Sequence, residues 1–276
     1  MTEKLQYFLC QFNLARKESD VRICVLGSGS SGNSTFLATE RTRLLVDAGL
    51  SGREIQRRLN QVGEPAEKLD ALLVSHEHTD HVNSVRKLAN NYGLPVYISG
   101  PTREALPWKA ELRYEYFSAG SSFSIGDIEV SPFTVPHDAV DTVGFTFQAE
   151  DTKVGLVTDL GHVTDLVKSN LRGCRVLVLE SNHDPELLKV SPYPWHVKQR
   201  VLGRCGHLSN VATSEFLRTD YDGEAEVLIL AHLSQINNLP ELAEISAQEA
   251  LGTRNGSAMT KLTVARQAEP TPLFRF

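Results

Sequence analysis

The feature that most constrains the fold of this chain is the segment His76-Glu77-His78-Thr79-Asp80-His81. It places four side chains that can bind a divalent metal ion directly after the apolar run 71–74. Histidine and carboxylate are the ligands of open, catalytic zinc sites and of similar divalent sites. Because one regular element cannot direct four such closely spaced side chains at one ion, the pattern predicts a strand ending near Ser75, a loop, and a helix beginning near Asp80. The loop would supply ligands to one ion and the helix to a second. The alternative is a polar loop that is rich in histidine by chance, but such a loop would not show this density of ligands.

Three further candidate ligands follow predicted strands elsewhere in the chain. His137 follows the alternating apolar segment 128–135, Asp159 follows the run 154–158, and His232 follows the continuous apolar run 227–231. Taken alone, such a residue is more often a hydrogen-bonded loop residue than a metal ligand. Because the carboxyl ends of several strands can converge on one cleft, the three together with the first motif favour a shared metal site.

The ordered set of these residues resembles the motifs of a known family. Asp47, the His76-x-His78-x-Asp80-His81 motif, His137, Asp159 and His232 are similar to the five motifs of the metallo-β-lactamase superfamily. Further segments resemble its YycJ/WalJ group, bacterial proteins described as double-stranded-DNA 5′-to-3′ exonucleases; these segments are 27–33, 46–52, 180–184, 193–195, 206–210 and 231–234. The resemblance runs from about Val21 to the carboxyl terminus.

The resemblance implies a ligand set, a cofactor and a fold. Its two divalent ions would be zinc or manganese, since nitrogen and oxygen ligands suit both. His76, His78 and His137 would hold one ion, Asp80, His81 and His232 the other, and Asp159 would bridge the two. A hydroxide shared by the ions would attack the substrate, and Asp80 would also orient it. The implied fold is the four-layer αββα sandwich.

Four other residues are candidates for roles beside the metal ligands. Asp47 is expected to hydrogen-bond a ligand histidine and fix its tautomer, although a strand-end turn former is the alternative. His207 and His183 are candidates to hold a phosphate or to protonate the leaving oxygen, the alternative for His207 being an ordinary helix-entry residue. Asn33 is a candidate for hydrogen bonding near the cleft, the alternative being a plain hairpin turn.

A basic cluster lies directly before His207. Lys198, Arg200 and Arg204 are candidates to bind the DNA backbone, although most such clusters are solvated faces. The net charge of −6 shows that the protein as a whole is no polycationic nucleic-acid coat. That charge does not exclude a DNA enzyme, because metal ions are positive and phosphate contacts are local.

The four cysteines and the apolar runs bear on the environment of the protein. No Cys-x-x-Cys spacing occurs, so a zinc knuckle is not expected, and the cysteines read as reduced, buried or partly buried thiols of a cytoplasmic protein. No apolar run approaches the roughly eighteen residues of a membrane span. Neither membrane association nor a signal peptide is therefore expected, and the pattern leaves the oligomeric state open.

The pattern of elements predicts an α+β fold, with two sheets packed face to face and helices outside. Strands are expected at 22–26, 34–39, 43–47, 71–74, 95–99, 112–117, 122–125, 128–133, 144–149, 153–157, 176–180, 227–230 and 261–266, and helices at 53–61, 82–92, 194–202, 210–219 and 239–251. No linker divides residues 21–276, which we interpret as one domain with a polar loop at 252–260. Residues 1–20 are either an added amphipathic helix or the result of a start codon assigned too far upstream, and we favour the second slightly.

The leading functional hypothesis is a metal-dependent phosphodiesterase that degrades double-stranded DNA from its 5′ end. The same hydroxide acting on a small ester, thioester or lactam is a second hypothesis. A regulatory protein that keeps its metal for structure alone is a third, and the full ligand set argues against it, because a structural site does not need an open position.

Overall fold

The structure is a computed structural model that describes residues 20–253 and 260–276. The predicted amino-terminal extension, except for Asp20, and most of the predicted loop 252–260 lie outside this range. The strands are β1 Arg22–Gly27, β2 Ser34–Ala38, β3 Arg43–Val46, β4 Ala71–Leu73, β5 Val96–Ser99, β6 Tyr114–Phe117, β7 Phe123–Ile125, β8 Ile128–Thr134, β9 Val143–Ala149, β10 Thr152–Val157, β11 Val176–Glu180, β12 Val227–Ala231, β13 Lys261–Val264 and β14 Phe274–Arg275. The helices are α1 Gly52–Gln61, α2 Thr79–Val82, α3 Val85–Tyr92, α4 Gly100–Ala105, α5 Asp165–Leu171, α6 Pro185–Val190, α7 Trp195–Leu202, α8 Asn210–Thr219 and α9 Pro240–Gly252, with a 3-10 turn at Ala66–Lys68.

The strands form two sheets of seven. The first sheet has the order β14-β1-β2-β3-β4-β5-β6, and the second has the order β13-β12-β11-β10-β9-β8-β7. Most central strands are buried along their whole length, which explains why their sequences are continuous apolar runs.

The buried apolar residues form three clusters, one between the two sheets and one on the outer face of each sheet. Because side chains alternate along a strand, neighbouring residues of one strand belong to different clusters. In β3, Leu44 contributes to the cluster between the two sheets, whereas Leu45 faces outward toward α1 and α3. In β11, Val178 lies between the sheets, whereas Leu179 packs with residues of α5, α8 and α9. The order of layers is therefore helix, sheet, sheet, helix, and the predicted α+β sandwich is confirmed.

The parallel part of each sheet brings strand ends to one edge. β3 and β4 run parallel, as do β10, β11 and β12. Asp47 and His232 directly follow β3 and β12, and Asp159 is the second residue after β10. The carboxyl ends of both sheets thus carry the candidate ligands.

Several elements differ from the expectations. The predicted helix 82–92 is two helices, because Ser84 leaves the helical region with φ −113° and ψ 0°. The short elements α4, α5, α6 and β14 were not predicted, since six or seven helical residues, or two strand residues, show too little periodicity. The last predicted strand ends at Val264. Within the described residues, no helix is both long enough and apolar enough to cross a bilayer.

The cysteines only partly fit their expected environment. Cys24 and Cys174 are buried, and burial raises the pKa of these thiols to about 11 and about 12. Cys205 is exposed, which corrects the expectation of a buried or partly buried thiol, because it lies in the turn after α7. Cys10 lies outside the described residues.

Candidate metal centre

The dense histidine motif begins where β4 ends. Helix α2 begins at Thr79, one residue before the predicted start, with His78 at the N-cap position. His76 and His81 are fully buried, whereas His78 and Asp80 are partly exposed. Glu77 turns away, since its carboxylate accepts a hydrogen bond from the Val140 backbone at 2.9 Å. The loop and the helix thus divide the four candidate ligands, as the motif predicts.

The structure brings all seven predicted ligand residues together. Their ligand atoms form groups in which every atom lies within 4.8 Å of the others, namely His76, His78 and His137; Asp80, His81 and His232; and His76, His81 and Asp159. Asp159 Oδ2 lies 3.2 Å from His81 Nε2 of one group, and Asp159 Oδ1 lies 3.8 Å from His137 Nε2 of the other. Asp159 therefore lies between the two histidine groups.

Buried atoms without partners show that cations fit these groups. Nε2 of His76, Nε2 of His232 and Oδ2 of Asp159 are buried and make no hydrogen bond with any residue that the structure describes, although charged neighbours lie close to them. Buried polar atoms in proteins are almost always hydrogen-bonded. Burial holds the pKa of His76 well below its ordinary value, so this imidazole is neutral, the form that binds metal. The donor set is the one expected for zinc, manganese or a similar divalent ion.

Charges inside the site also suit a cation. Burial alone would raise the pKa of Asp159, but His232 and His81 lower it well below its ordinary value. Burial likewise lowers the pKa of His232, and the Asp159, Asp80 and Glu180 carboxylates together raise it to about 10. Without an ion, the buried carboxylates thus retain a proton on the imidazole. A divalent ion would replace that proton as the positive partner.

Asp47 lies behind His81, where the sequence predicts it. Its Oδ2 atom is 2.8 Å from His81 Nδ1, and both of its oxygens accept hydrogen bonds from Ser75 at 2.8 Å. This arrangement turns Nε2 of His81 toward Asp80 and Asp159. A carboxylate in this position fixes the orientation of a ligand histidine.

Asn33 lies against the same motif. Its side-chain nitrogen is 3.3 Å from Asp80 Oδ2 and 3.0 Å from His81 Nε2. Its backbone N–H donates to the Asp80 carbonyl at 2.7 Å. Asn33 therefore touches two candidate ligands, and its side-chain oxygen also accepts hydrogen bonds from Ser28 and Gly29 of its own turn.

Glu180 is the main site residue that the sequence reasoning missed. It is the last residue of β11 and is fully buried, with Oε1 at 2.8 Å from Nδ1 of both His207 and His232. Burial raises its pKa, but the two histidines lower it to about 2, so the carboxylate is ionised. Its position at the carboxyl end of an apolar strand is the signal that could have identified it.

The structure separates the two other histidine candidates. His207 lies in a ligand group with Asp159, Glu180 and His232. His183 is buried outside these groups, and neither of its ring nitrogens has a hydrogen-bond partner among residues 20–253 and 260–276. Burial lowers its pKa to about 4. Its catalytic role stays a prediction.

The three residues of the basic cluster have different surroundings. Nε of Arg200, on α7, donates to Asp138, whose Oδ1 lies 3.3 Å from His137 Nε2. Lys198 donates instead to a backbone carbonyl at 2.6 Å, and Arg204 contacts a histidine outside the ligand groups at 3.0 Å. Arg200 alone among the three lies next to the candidate ligands. Asp138, which positions it, was not predicted.

The backbone of the centre is strained at three positions. Asp47, Asp159 and His232 have positive φ angles of 59°, 57° and 56°. This left-handed conformation is uncommon for residues other than glycine and costs energy. Such strain is concentrated at functional sites, and here it directs three side chains into the cleft at the ends of their strands.

Comparison with known proteins agrees with this geometry. The Beta-lactamase superfamily domain matches residues 42–233. Exodeoxyribonuclease YycJ of Bacillus anthracis is 38% identical over 232 residues, which cover 82% of this chain and 88% of that protein. Exodeoxyribonuclease WalJ of Streptococcus pneumoniae serotype 2 (strain D39 / NCTC 7466) is 37% identical over 235 residues, covering 83% and 87%.

Solved structures show the same fold at low identity. The metallo-β-lactamase fold protein YhfI of Bacillus subtilis superposes with a TM-score of 0.69 at 18% identity, covering 92% of this chain and 99% of that one. Zn(2+)-bound PqqB of Methylobacterium extorquens superposes with a TM-score of 0.66 at 15% identity, covering 91% and 99%. The chain thus belongs to the β-lactamase superfamily and, within it, to the YycJ and WalJ group, as a metal-dependent hydrolase that binds divalent metal.

Proposed function

We propose that this protein is a 5′-to-3′ exonuclease that degrades double-stranded DNA in the cytoplasm with two divalent ions, zinc or manganese. The observation that carries the proposal is the pair of histidine groups that meet at Asp159. The nucleic-acid substrate rests on the curated relatives, which are exodeoxyribonucleases and align over more than four-fifths of this chain. A protein that keeps metal for structure alone would have no use for two groups beside partly exposed ligands such as His78 and Asp80.

The ligands divide between two ions. His76, His78 and His137 would hold the first ion, Asp80, His81 and His232 the second, and Asp159 would contact both. Two ions held in this way supply an activated water and neutralise the charge that develops on a phosphodiester. Asp47 and Asn33 keep His81 and Asp80 in place through the contacts at 2.8 Å and 3.3 Å.

His207 is the proposed proton carrier for the leaving oxygen. Its Nδ1 is bound to Glu180 at 2.8 Å, which leaves Nε2 free to face the substrate. The side chain is 17% exposed, so a substrate can reach it, whereas Glu180 is fully buried. The buried Glu180 carboxylate fixes the orientation of this imidazole, as a side chain that transfers a proton in the reaction needs.

Arg200 is the proposed contact for a phosphate beside the reacting bond. Only its Nε is engaged, by Asp138, and neither amino group makes a hydrogen bond within the described part of the chain. A guanidinium with two free amino groups binds a phosphate through paired hydrogen bonds. Asp138 fixes this group within reach of the first ligand group, because it also contacts His137. Lys198 and Arg204 lie farther along the surface and are proposed to contact the DNA backbone.

The test uses linear duplex DNA labelled at either 5′ end, with zinc or manganese, beside closed circular duplex, a thioester and a β-lactam. We expect mononucleotides to be released from 5′ ends and the circle to remain intact. His76→Ala and Asp159→Asn should abolish release while the circular dichroism spectrum stays that of the wild type. Faster turnover of the thioester or lactam than of DNA would reject the nuclease assignment.

A further inference from the structure

A cavity of about 300 Å³ lies beside the proposed second ion. Its walls come from the turn that begins at Ser28, the loop between β12 and α9, and the segment that follows β13. The loop contributes Leu233, Ser234, Gln235 and Leu239 to the wall. The cavity has the size of small-molecule sites.

The cavity adjoins the segment that carries His232, a candidate ligand of the metal centre. The hydroxyl oxygen of Ser28 accepts a hydrogen bond from the His232 backbone N–H at 2.8 Å, and Ser28 lines the cavity. Leu233 and Ser234 directly follow His232 along the chain. Arg200 and Asp138 flank the centre at His137, in the other group of ligands. A strand whose phosphate reacts at the centre can therefore place one neighbouring nucleotide at Arg200 and the other in the cavity.

The walls suit a flat, neutral, aromatic ligand. Leu239 is 51% exposed and contributes apolar surface to the cavity wall. The Gln235 amide makes no hydrogen bond with any described residue, so its donor and acceptor are available. The apolar face would stack on a ring, and the amide would hydrogen-bond a ring edge.

The charges of the cavity argue against a phosphate in it. Arg266 is the cationic residue of the wall, and its guanidinium lies 3.9 Å from Glu241 and 3.8 Å from Glu269. One positive charge beside two negative charges does not attract a dianion. The ligand expected from the charges is therefore neutral, as a nucleobase is.

We propose that this cavity receives the base of the 5′-terminal nucleotide, unstacked from the duplex, while the adjoining phosphodiester reacts at the metal centre. The inference rests on the proposed exonuclease function and adds the reason for its preference for ends. A terminal base leaves its stack at a lower cost than an interior base, so a site that must hold an unstacked base selects DNA ends.

The experiment pairs a change in the DNA with a change in the protein. Three duplexes are compared: an intact one, one with an abasic residue at the 5′ terminus, and one with an abasic residue ten positions inside. The protein variants are Leu239→Ala, Gln235→Ala and, as the matched control, Ile245→Ala on α9, which is 52% exposed and outside the cavity wall. The readouts are the affinity for DNA in chelator and the single-turnover rate of first release in metal.

The wild type should bind and cleave the terminally abasic duplex roughly tenfold less well than the intact one, the size of one lost base stack. The interior abasic duplex should behave as the intact one. Leu239→Ala and Gln235→Ala should lose most of this discrimination, because they lower the affinity and the rate for the intact duplex but not for the terminally abasic one. Ile245→Ala should keep the discrimination.

Two outcomes would overturn the proposal while leaving the exonuclease function intact. The first is that both cavity variants discriminate between the intact and the terminally abasic duplex as strongly as the wild type. The second is that the wild type does not discriminate between them. Loss of the effect only when the 5′ phosphate is removed would assign the cavity to phosphate and also overturn it. Absence of release from every duplex would instead reject the exonuclease function.

Discussion

Glu180 Oε1 lies 2.8 Å from Nδ1 of His207, at the end of a strand that is buried throughout. Through the same oxygen the carboxylate contacts His232, so one buried charge orients a candidate ligand and the proposed proton carrier. We therefore expect Glu180→Gln, which keeps the shape, to lower the single-turnover rate by about ten- to a hundredfold, the loss typical when such a partner is removed.

The matched variant is His207→Ala, which should lower the rate with little effect on the affinity for DNA, as the loss of a transition-state contact does. The two variants combined should lose less than the product of the two separate losses, since part of the effect of Glu180 acts through His207. Normal turnover in His207→Ala would make this residue an ordinary helix-entry histidine.

Arg200 and Lys198 should differ although they lie on the same helix. Each phosphate contact that is lost reduces the slope of log affinity against log salt by roughly one unit. We expect Lys198→Ala to change the salt slope alone, and Arg200→Ala to lower the single-turnover rate as well, because Arg200 lies beside the centre. Binding across a salt series and rapid-quench kinetics measure the two effects. An unchanged slope in the triple variant with Arg204→Ala would place all three on a solvated face.

Metal should stabilise the folded chain. The ligand atoms without partners, on His76, His232 and Asp159, are buried only in the folded state. An ion whose free concentration is a thousand times its dissociation constant adds about 4 kcal/mol to the free energy of unfolding. We expect chelator to lower the Tm, added zinc or manganese to restore it, and elemental analysis to find two ions per chain. One ion or none in metal-replete protein would contradict the two-ion mechanism.

Gly49 should not tolerate a side chain. A Cβ atom there would lie 1.6 Å from the carbonyl oxygen of Asp80, inside the dense motif. We expect Gly49→Ala to reduce the free energy of unfolding by about 1–3 kcal/mol or more and to weaken metal binding, because the backbone of Asp80 must move. Gly52→Ala is the control, since its Cβ would meet nothing closer than 3.6 Å. Equal stability of the two variants in a denaturant titration would contradict the expectation.

The sequence predicts the sandwich, and places the candidate ligands after its strands, for a physical reason. Strands buried on both faces are continuous apolar runs, and the residue after each run, such as Asp159 or His232, lies at a strand end whatever the rest of the fold. The local sequence pattern therefore predicts both the strand and the position of the side chain that follows it.

What the sequence did not predict depends on contacts between distant segments. Glu180 meets His207 and His232 only through the packing of β11 and β12, and Asp138 is identified only by the position of Arg200, 62 residues away. The basic cluster shows the same limit, because three neighbours in sequence face different surroundings across a helix and a turn. Short elements such as β14 pair with strands at the other end of the chain and have no periodicity to detect.

Each proposed ion takes ligands from both sheets. His76, His78, Asp80 and His81 follow a strand of the first sheet, whereas His137 and His232 follow strands of the second. The ribosome therefore delivers the first four ligands long before the last: the proposed first ion has its full set only once residue 159 has been added, and the second only once residue 232 has been added and folded. A polypeptide released early, before that residue, is an inert fragment. The topology thereby makes the capacity to cut DNA depend on the synthesis and folding of β12 and the residue after it.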